Sequence, residues 1–315
     1  VPNSTPAAAP AIPRVTVLLA THNGARWIDE QLDTILAQTG VEVRVIALDD
    51  ASTDTTVALL EARAASDPRL TILTDPTPAG GAAANFYRLL RRVDFTDAGL
   101  VAFADQDDVW LPGKLARHAE LLAAGADGVS SDVTAFSEGG PRELVRKSYP
   151  QREFDYLLES PGPGCTFLMS NRLVTLAQQQ LADPESDASR ADFHDWLLYV
   201  LCRARGWNWV IDDAPSVDYR QHGSNAMGAN LGAASAKRRL GLIGNRWHRG
   251  EATLLARAGL AVASDSTRPG LERMLDLFER TGPSGRVALL GVAGQLRRRS
   301  RDRAIIGTLV ALGIW

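Results

Sequence analysis

The chain has 315 residues, against about 100–200 for a typical domain, which leaves room for two domains or for one large domain with an appendage. Its 45% hydrophobic and 23% charged residues are those of an ordinary globular protein and exclude a mostly disordered, collagen-like or coiled-coil chain. Lys+Arg 34 against Asp+Glu 37 leaves a formal net charge of −3, so no global charge draws the molecule to nucleic acid, and any basic partner surface must be local.

The stretch 1–13 is rich in Pro and Ala but has neither a basic leading region nor a continuous apolar run, so it reads as a flexible tail rather than a signal peptide. From Arg14 onward short apolar runs alternate with amphipathic stretches, the pattern of strands joined by helices around a mostly parallel sheet. Strands are expected over Val15–Leu19, Val43–Leu48, Leu70–Leu73 and Leu100–Ala104. Helices are expected over Ile28–Leu36, Asp54–Ala64 and Ala83–Arg92; in the first, Ile28, Leu32, Ile35 and Leu36 fall on one face.

Between Gly125 and Gly164 the pattern loosens, and loops with antiparallel pieces are expected. Beyond Gly228 the sequence turns Ala-, Leu- and Arg-rich, with helices expected over Arg238–Leu242, Ala252–Ala263 and Leu271–Arg280. These limits divide the chain into a tail (1–13), an α/β domain (14–228) and a helical C-terminal region (229–315). The latter ends in the basic cluster Arg297, Arg298, Arg299, Arg301 and Arg303, followed by the apolar stretch Ala304–Trp315. That combination suits peripheral contact with an anionic membrane, and equally a terminal helix packed on its own domain. The apolar faces of these helices need cover, which a homodimer, the α/β domain or a bilayer would supply. No run reaches about 18 apolar residues, so no spanning helix is expected. Two cysteines, Cys165 and Cys202, give neither a disulfide framework nor a zinc spacing and point to a reducing, cytoplasmic compartment.

Acidic residues gather at the ends of the expected strands, where ligands of open α/β sheets bind. Asp49 and Asp50 follow the second strand; a carboxylate there can accept the N3–H of uracil or thymine, or can cap the next turn. Asp105, Gln106, Asp107 and Asp108 close the strand Leu100–Ala104, ahead of Trp110, Pro112 and Lys114. Carboxylates so close repel one another, and a hard divalent cation is the usual compensation, although a solvated acidic loop has the same composition. His194, Asp195 and Trp196 open a helix, and Gln221, His222 and Gly223 follow later. Taken alone, Asp195 is either an N-cap or a catalytic base, and His222 either a loop histidine or a metal ligand.

In order, these blocks resemble the family 2 inverting glycosyltransferases of the GT-A fold, and within them the bacterial rhamnosyltransferase-like members. The resemblance spans about Arg14–Gly228. It rests on Val17 to Gly24, Leu48 to Asp54, Ala84-Asn85-Phe86, Asp105 to Trp110, Gly164-Cys165-Thr166, His194-Asp195-Trp196 and Tyr219 to Gly223. It implies an α/β fold, a Rossmann-like mixed sheet flanked by helices, with a C-terminal helical appendage.

The resemblance also implies roles. Ala20, Thr21, His22 and Asn23 line the nucleotide pocket together with Asn85, and Asp50 holds the base. Some relatives carry a hydroxyl residue at the position of Ala20, so contact there comes from backbone or from Thr21. Asp105 faces the ribose or a metal-bound water, Asp107 and His222 ligate Mn2+ or Mg2+, and Asp195 is the general base. Gly164, Cys165, Thr166, His194 and Trp196 belong to the acceptor or sugar region. The implied partners are a nucleotide-sugar donor, dTDP-L-rhamnose ahead of a UDP-hexose or UDP-galactofuranose, and a glycan or polyprenyl-linked glycan acceptor. A nicotinamide dehydrogenase is disfavoured because the first strand ends in Thr21-His22-Asn23-Gly24 rather than G-x-G-x-x-G. A nucleotidyltransferase would need a glycine- and basic-rich phosphate loop at the same place. A non-catalytic nucleotide- or glycan-binding module on the same fold is the remaining alternative.

Overall fold

The computed structural model describes residues 12–75, 77–222 and 247–315. Most of the expected tail, Gly223, the limit at Gly228 and the helix expected over Arg238–Leu242 lie outside the described residues. In chain order the strands and helices are β1 (Arg14–Thr21), α1 (Ile28–Leu36), β2 (Glu42–Asp49), α2 (Thr56–Ser66), β3 (Leu70–Leu73), α3 (Ala82–Arg92), β4 (Leu100–Ala104), β5 (Val109–Trp110) and α4 (Lys114–Ala123). They continue with β6 (Gly128–Phe136), β7 (Arg142–Val145), β8 (Leu168–Met169), α5 (Asn171–Leu181), α6 (His194–Ala204) and β9 (Trp209–Arg220). The last four helices are α7 (Trp247–Val262), α8 (Arg268–Glu279), α9 (Gly282–Leu290) and α10 (Ser300–Leu312).

Among the described residues nine strands form one mixed sheet in the order β3-β2-β1-β4-β8-β6-β9-β5, with β7 paired to β6. The first four in that order run parallel, so Thr21, Asp49 and Ala104 finish on the same edge and open the crevice that such sheets use for ligands. β8 joins antiparallel, and β7 forms an antiparallel pair with β6, as the loosened sequence between Gly125 and Gly164 suggests. β9 runs parallel to β6 past a register shift between Ser131 and Val133, then pairs antiparallel with β5 through Val109↔Asp218. That last pairing carries the end of β9 to the acidic loop.

Side chains along a strand alternate between faces, and the core divides accordingly. Leu18 and Ala20 face one apolar cluster with Phe86 and Phe103; Val15, Val17 and Leu19 face another with Ile28, Leu32 and Ile35. Helix α2 starts at Thr56 rather than Asp54 because the Asp54 carboxylate accepts the Thr56 N–H at 3.0 Å and so acts as a cap outside the helix.

The C-terminal helices share the first cluster: Leu255, Met274, Phe278, Ile306 and Val310 pack in one core with Leu197, Val200 and Leu201 of α6. Helix α6 is buried on nearly every side, and a helix apolar all round needs cover all round. The region expected as an appendage supplies that cover. An ionic tie reinforces it: the fully buried Asp155 accepts Arg298 Nη1 at 2.8 Å and the Tyr199 hydroxyl at 2.9 Å, while Arg298 Nη2 donates to the Ser160 carbonyl at 2.6 Å. Replacing Asp155 with Ala removes the nearest carboxylate from the buried Arg298 guanidinium and leaves it only Glu159, at 3.5 Å. The expected loss is about 3–5 kcal/mol of unfolding free energy, read by urea denaturation.

Candidate active site

The sheet edge opens into a cleft of about 1880 Å³. Its wall includes Ala20, Thr21, His22, Asn23, Asp50 and Asn85 from the parallel half. Asp105, Asp107, Gly164, His194, Asp195, Trp196 and His222 join them. The fold therefore brings together thirteen of the fifteen residues to which the resemblance gives a role. Cys165 and Thr166 are fully buried and do not line the cleft.

At the end of β1 the Thr21 hydroxyl donates to Asp49 Oδ2 at 2.8 Å, and Asp49 also accepts the Ser52 N–H at 2.7 Å and the Ser52 hydroxyl at 2.6 Å. Asp49 is thus a turn-forming residue. Asp50 faces the cleft, where its carboxylate accepts the N–H groups of Ala79, Gly80 (3.1 Å) and Gly81 (3.2 Å) and meets Arg88 at 3.3 Å. It is built to accept N–H groups, and backbone amides occupy it here. Asn85 anchors α3 to the sheet by donating to the Leu48 carbonyl at 2.9 Å. His22 and Gln106 exchange a pair of bonds: the His22 N–H donates to Gln106 Oε1 at 2.7 Å, and Gln106 Nε2 donates to the His22 carbonyl at 2.8 Å. Gln106 therefore locks the acidic loop to the end of β1. The sequence placed it in the motif without a role.

In the acidic loop, burial and the charges of Asp107 and Asp195 push Asp105 up to about 7. Asp108 is pushed well above the carboxylate range by burial, then by Asp107 and Asp105. Its Oδ1 accepts the Arg220 N–H at 3.1 Å, while Oδ2 is buried without a partner among the described residues. Ligand atoms of Asp105, Asp108 and Cys165 approach within 4.8 Å of one another. Burial raises the Cys165 thiol well above its ordinary value. The cleft-facing pair is Asp107 with His222, whose Oδ2 and Nε2 lie 2.6 Å apart. Trp27 stacks on the His222 ring with centroids 4.2 Å apart and planes 20° apart, a contact that no motif announced. A carboxylate and an imidazole converging beside crowded carboxylates form a donor set that fits a divalent cation such as Mn2+.

Across the cleft, Asp195 sits in the first turn of α6, where Oδ1 accepts the Trp196 N–H at 2.7 Å and Oδ2 accepts the Ser160 hydroxyl at 3.1 Å. Burial raises its carboxyl to about 6, against the lowering effect of those two bonds. That value suits a base working near neutrality. Ser160 was not legible as a site residue, because it reaches Asp195 from 35 residues away.

In the rest of the expected acceptor region, Gly164, His194 and Trp196 line the cleft and are held by close packing. His194 stacks on Phe86 with centroids 4.0 Å apart, and burial lowers it to about 3, so it is neutral. Gly164 makes room for it: a Cβ there would lie 2.5 Å from His194 Nε2. Trp196 donates Nε1–H to the Tyr156 carbonyl at 2.7 Å. The Thr166 hydroxyl donates to the Pro163 carbonyl at 2.8 Å.

The family description "Glycosyl transferase family 2" matches residues 16–173. The dTDP-rhamnosyl transferase RfbG of Shigella flexneri is 35% identical over 299 residues, which cover 94% of this chain and 100% of that protein. The succinoglycan biosynthesis protein ExoO of Rhizobium meliloti is 33% identical over 164 residues, 49% of this chain and 44% of that protein. Among solved structures, S. aureus TarS 1-349 in complex with UDP-GlcNAc has a TM-score of 0.58 at 15% identity, covering 93% of this chain and 79% of that one. The sheet order, the strand-end acidic loop and these matches agree: the chain is an enzyme of the family 2 glycosyltransferases, and its mixed sheet with flanking helices is the GT-A fold.

Proposed function

We propose that the enzyme transfers L-rhamnose from dTDP-L-rhamnose, with inversion, to a hydroxyl of a cell-surface or lipid-linked glycan. The observation that carries the catalytic part is Asp195, raised to about 6, in the same cleft as the Asp107–His222 pair. The sugar assignment is supported by the end-to-end similarity to a dTDP-rhamnosyl transferase. A UDP-sugar donor is the second reading. A carboxylate such as Asp50 accepts the N3–H that thymine and uracil share, and the TarS structure named above holds UDP-GlcNAc.

In this scheme Asp195 accepts the proton of the acceptor hydroxyl as its oxygen bonds to the anomeric carbon, and the bond from that carbon to the nucleotide diphosphate breaks. Ser160 and the Trp196 N–H hold the two carboxylate oxygens and so fix the direction of proton uptake. Asp50 takes the base N–H in place of the backbone amides that it accepts here, which requires the 79–81 segment to yield. Asp107 and His222 would hold Mn2+ or Mg2+, which when bound supplies Lewis-acid stabilisation of the departing diphosphate. Gln106 keeps the acidic loop and the end of β1 in one piece.

Asp195→Asn is expected to lower kcat by roughly 10²–10⁴-fold while leaving the dTDP dissociation constant unchanged; equal loss of nucleotide affinity removes Asp195 from the base role. In the wild type the carboxylate is the active form, so kcat/KM is expected to fall about tenfold per pH unit below about 6. The sign for stability is opposite. A folded pKa above the unfolded value of 3.8 means that stability is lost as pH rises towards and through about 6, so the Asn variant should gain thermal stability over wild type at pH 8 and not at pH 4.

Donor identity is read by thermal shift with dTDP-rhamnose, UDP-glucose, UDP-galactofuranose and GDP-mannose, with and without Mn2+. The largest Mn2+-dependent rise is expected for dTDP-rhamnose, with loss of turnover in EDTA and recovery on adding Mn2+. A larger rise with a UDP-sugar overturns the rhamnose assignment.

A further inference from the structure

Helix α6 carries Asp195 in its first turn, yet the residue that leads into the helix does not cap it. Phe193 is extended, with φ −132° and ψ 115°, and makes no side-chain capping bond. The first turn of a helix has N–H groups without partners inside the helix, so a start lacking such a cap depends on what holds the chain ahead of it. Here two other helices hold it. The Tyr87 hydroxyl of α3 donates to the Ala191 carbonyl at 3.0 Å. From α7, Glu251 Oε1 accepts the Asp192 N–H at 2.9 Å, and Trp247 donates Nε1–H to Asp192 Oδ2 at 2.5 Å. The Trp247 ring also meets Phe193 edge-on, with centroids 5.7 Å apart.

Glu251 is a costly group to place at that contact. It is only 6% exposed, and burial raises it to about 7, opposed by the Asp192 N–H and aided by the Asp192 charge. No cation among the described residues offsets that burial. A buried carboxyl with no ion-pair partner costs folding free energy, and such local costs persist where a site needs them. Glu251 does not line the cleft, so it acts on the site through the chain that it grips. Its charge, that of Asp195 and that of Asp192 all bear on the buried Tyr87 hydroxyl, which puts the clamp and the base around one side chain.

Resting on the assignment of Asp195 as the base, we propose that Glu251 is a positioning residue: with Tyr87 it fixes the chain at 191–192 and thereby sets where the Asp195 carboxylate stands in the cleft. It works as a hydrogen-bond acceptor for one backbone N–H. The C-terminal helix α7 thus has a part in catalysis although none of its carboxylates touches the reacting groups.

Amide hydrogen exchange read by mass spectrometry on the free, full chain tests the clamp without any ligand. Glu251→Ala is expected to speed exchange in the peptide covering 191–197 about tenfold, with peptides from β1 and β2 unchanged. Glu251→Gln keeps an acceptor oxygen and should exchange as the wild type does. Tyr87→Phe keeps the ring and removes only the hydroxyl; it should speed exchange in the same peptide and serves as the second variant where the alanine chain fails to fold. Turnover is then read as release of dTDP from dTDP-rhamnose with water as the acceptor. Misplacing a catalytic group by about 1 Å costs on the order of 10²-fold. Glu251→Ala should therefore lower kcat roughly 10- to 100-fold with the donor KM unchanged, and Glu251→Gln should restore it. Added to Asp195→Asn, Glu251→Ala should cost nothing further, because a positioning residue acts only through the group that it positions.

Wild-type exchange at 191–197 in both Glu251→Ala and Tyr87→Phe overturns the clamp. Faster exchange with undiminished kcat, where Asp195→Asn does lower kcat, overturns the positioning role. Additive losses in the double variant overturn it as well, because Glu251 then acts elsewhere. Faster exchange in Glu251→Ala beside an Asp195→Asn chain that turns over as the wild type does upholds the clamp and removes Asp195 as the base.

Discussion

Arg220, the last residue of β9, is the fixed point on which the catalytic end of the molecule depends. Its backbone N–H donates to Asp108 Oδ1 at 3.1 Å, its Nε to the Asp107 carbonyl at 2.8 Å and its Nη2 to Glu30 Oε2 at 2.5 Å. One buried guanidinium therefore joins the acidic loop, helix α1 and the far half of the sheet. Crowded carboxylates at a strand end raise one another's pKa values. A hydrogen-bonded cation lodged in the loop makes that crowding tolerable and leaves the carboxylate of Asp107 turned to the cleft. Two residues later His222 reaches Asp107, with Trp27 stacked on its other side.

The other half of the chemistry depends on helix α6. Its first turn carries Asp195, and the positive end of the helix dipole favours the ionised form there. Burial opposes it and prevails, which is how the carboxyl comes to titrate near 6 rather than near 4. Holding a carboxylate in that state needs a rigid, dry surround. The surround comes from the C-terminal helices, which share the α6 core and are tied to it through Arg298 and Asp155. The same segment brings Arg297, Arg298 and Arg299 to the wall of the cleft.

Much of the parallel half of the fold was legible from local pattern. The observed bounds of α1, β3 and β4 coincide with those read from apolar spacing, because each buries a face whose period its own sequence sets. The blocks at the ends of β1, β2 and β4 were legible as a site for a related reason, since parallel strands deliver their carboxyl ends to one edge. The acceptor side was less legible. Cys165 and Thr166 sit in a motif beside Gly164 yet point into the core, and neither spacing nor composition distinguishes a residue that touches ligand from one that supports the wall. Ser160 and Trp27 carry no local signal at all. Each matters through a partner far away in sequence.

What the sequence determined by itself was the elements of the parallel half, the family and the residue types available for chemistry, because propensity, period and short motifs are properties of neighbouring residues. What only the tertiary structure decided was which of those residues meet: Asp107 with His222, Asp195 with Ser160, and Trp27 with His222. It also decided their protonation. A carboxyl at about 6 or a histidine at about 3 is the product of burial, which does not exist until the chain has closed around the group.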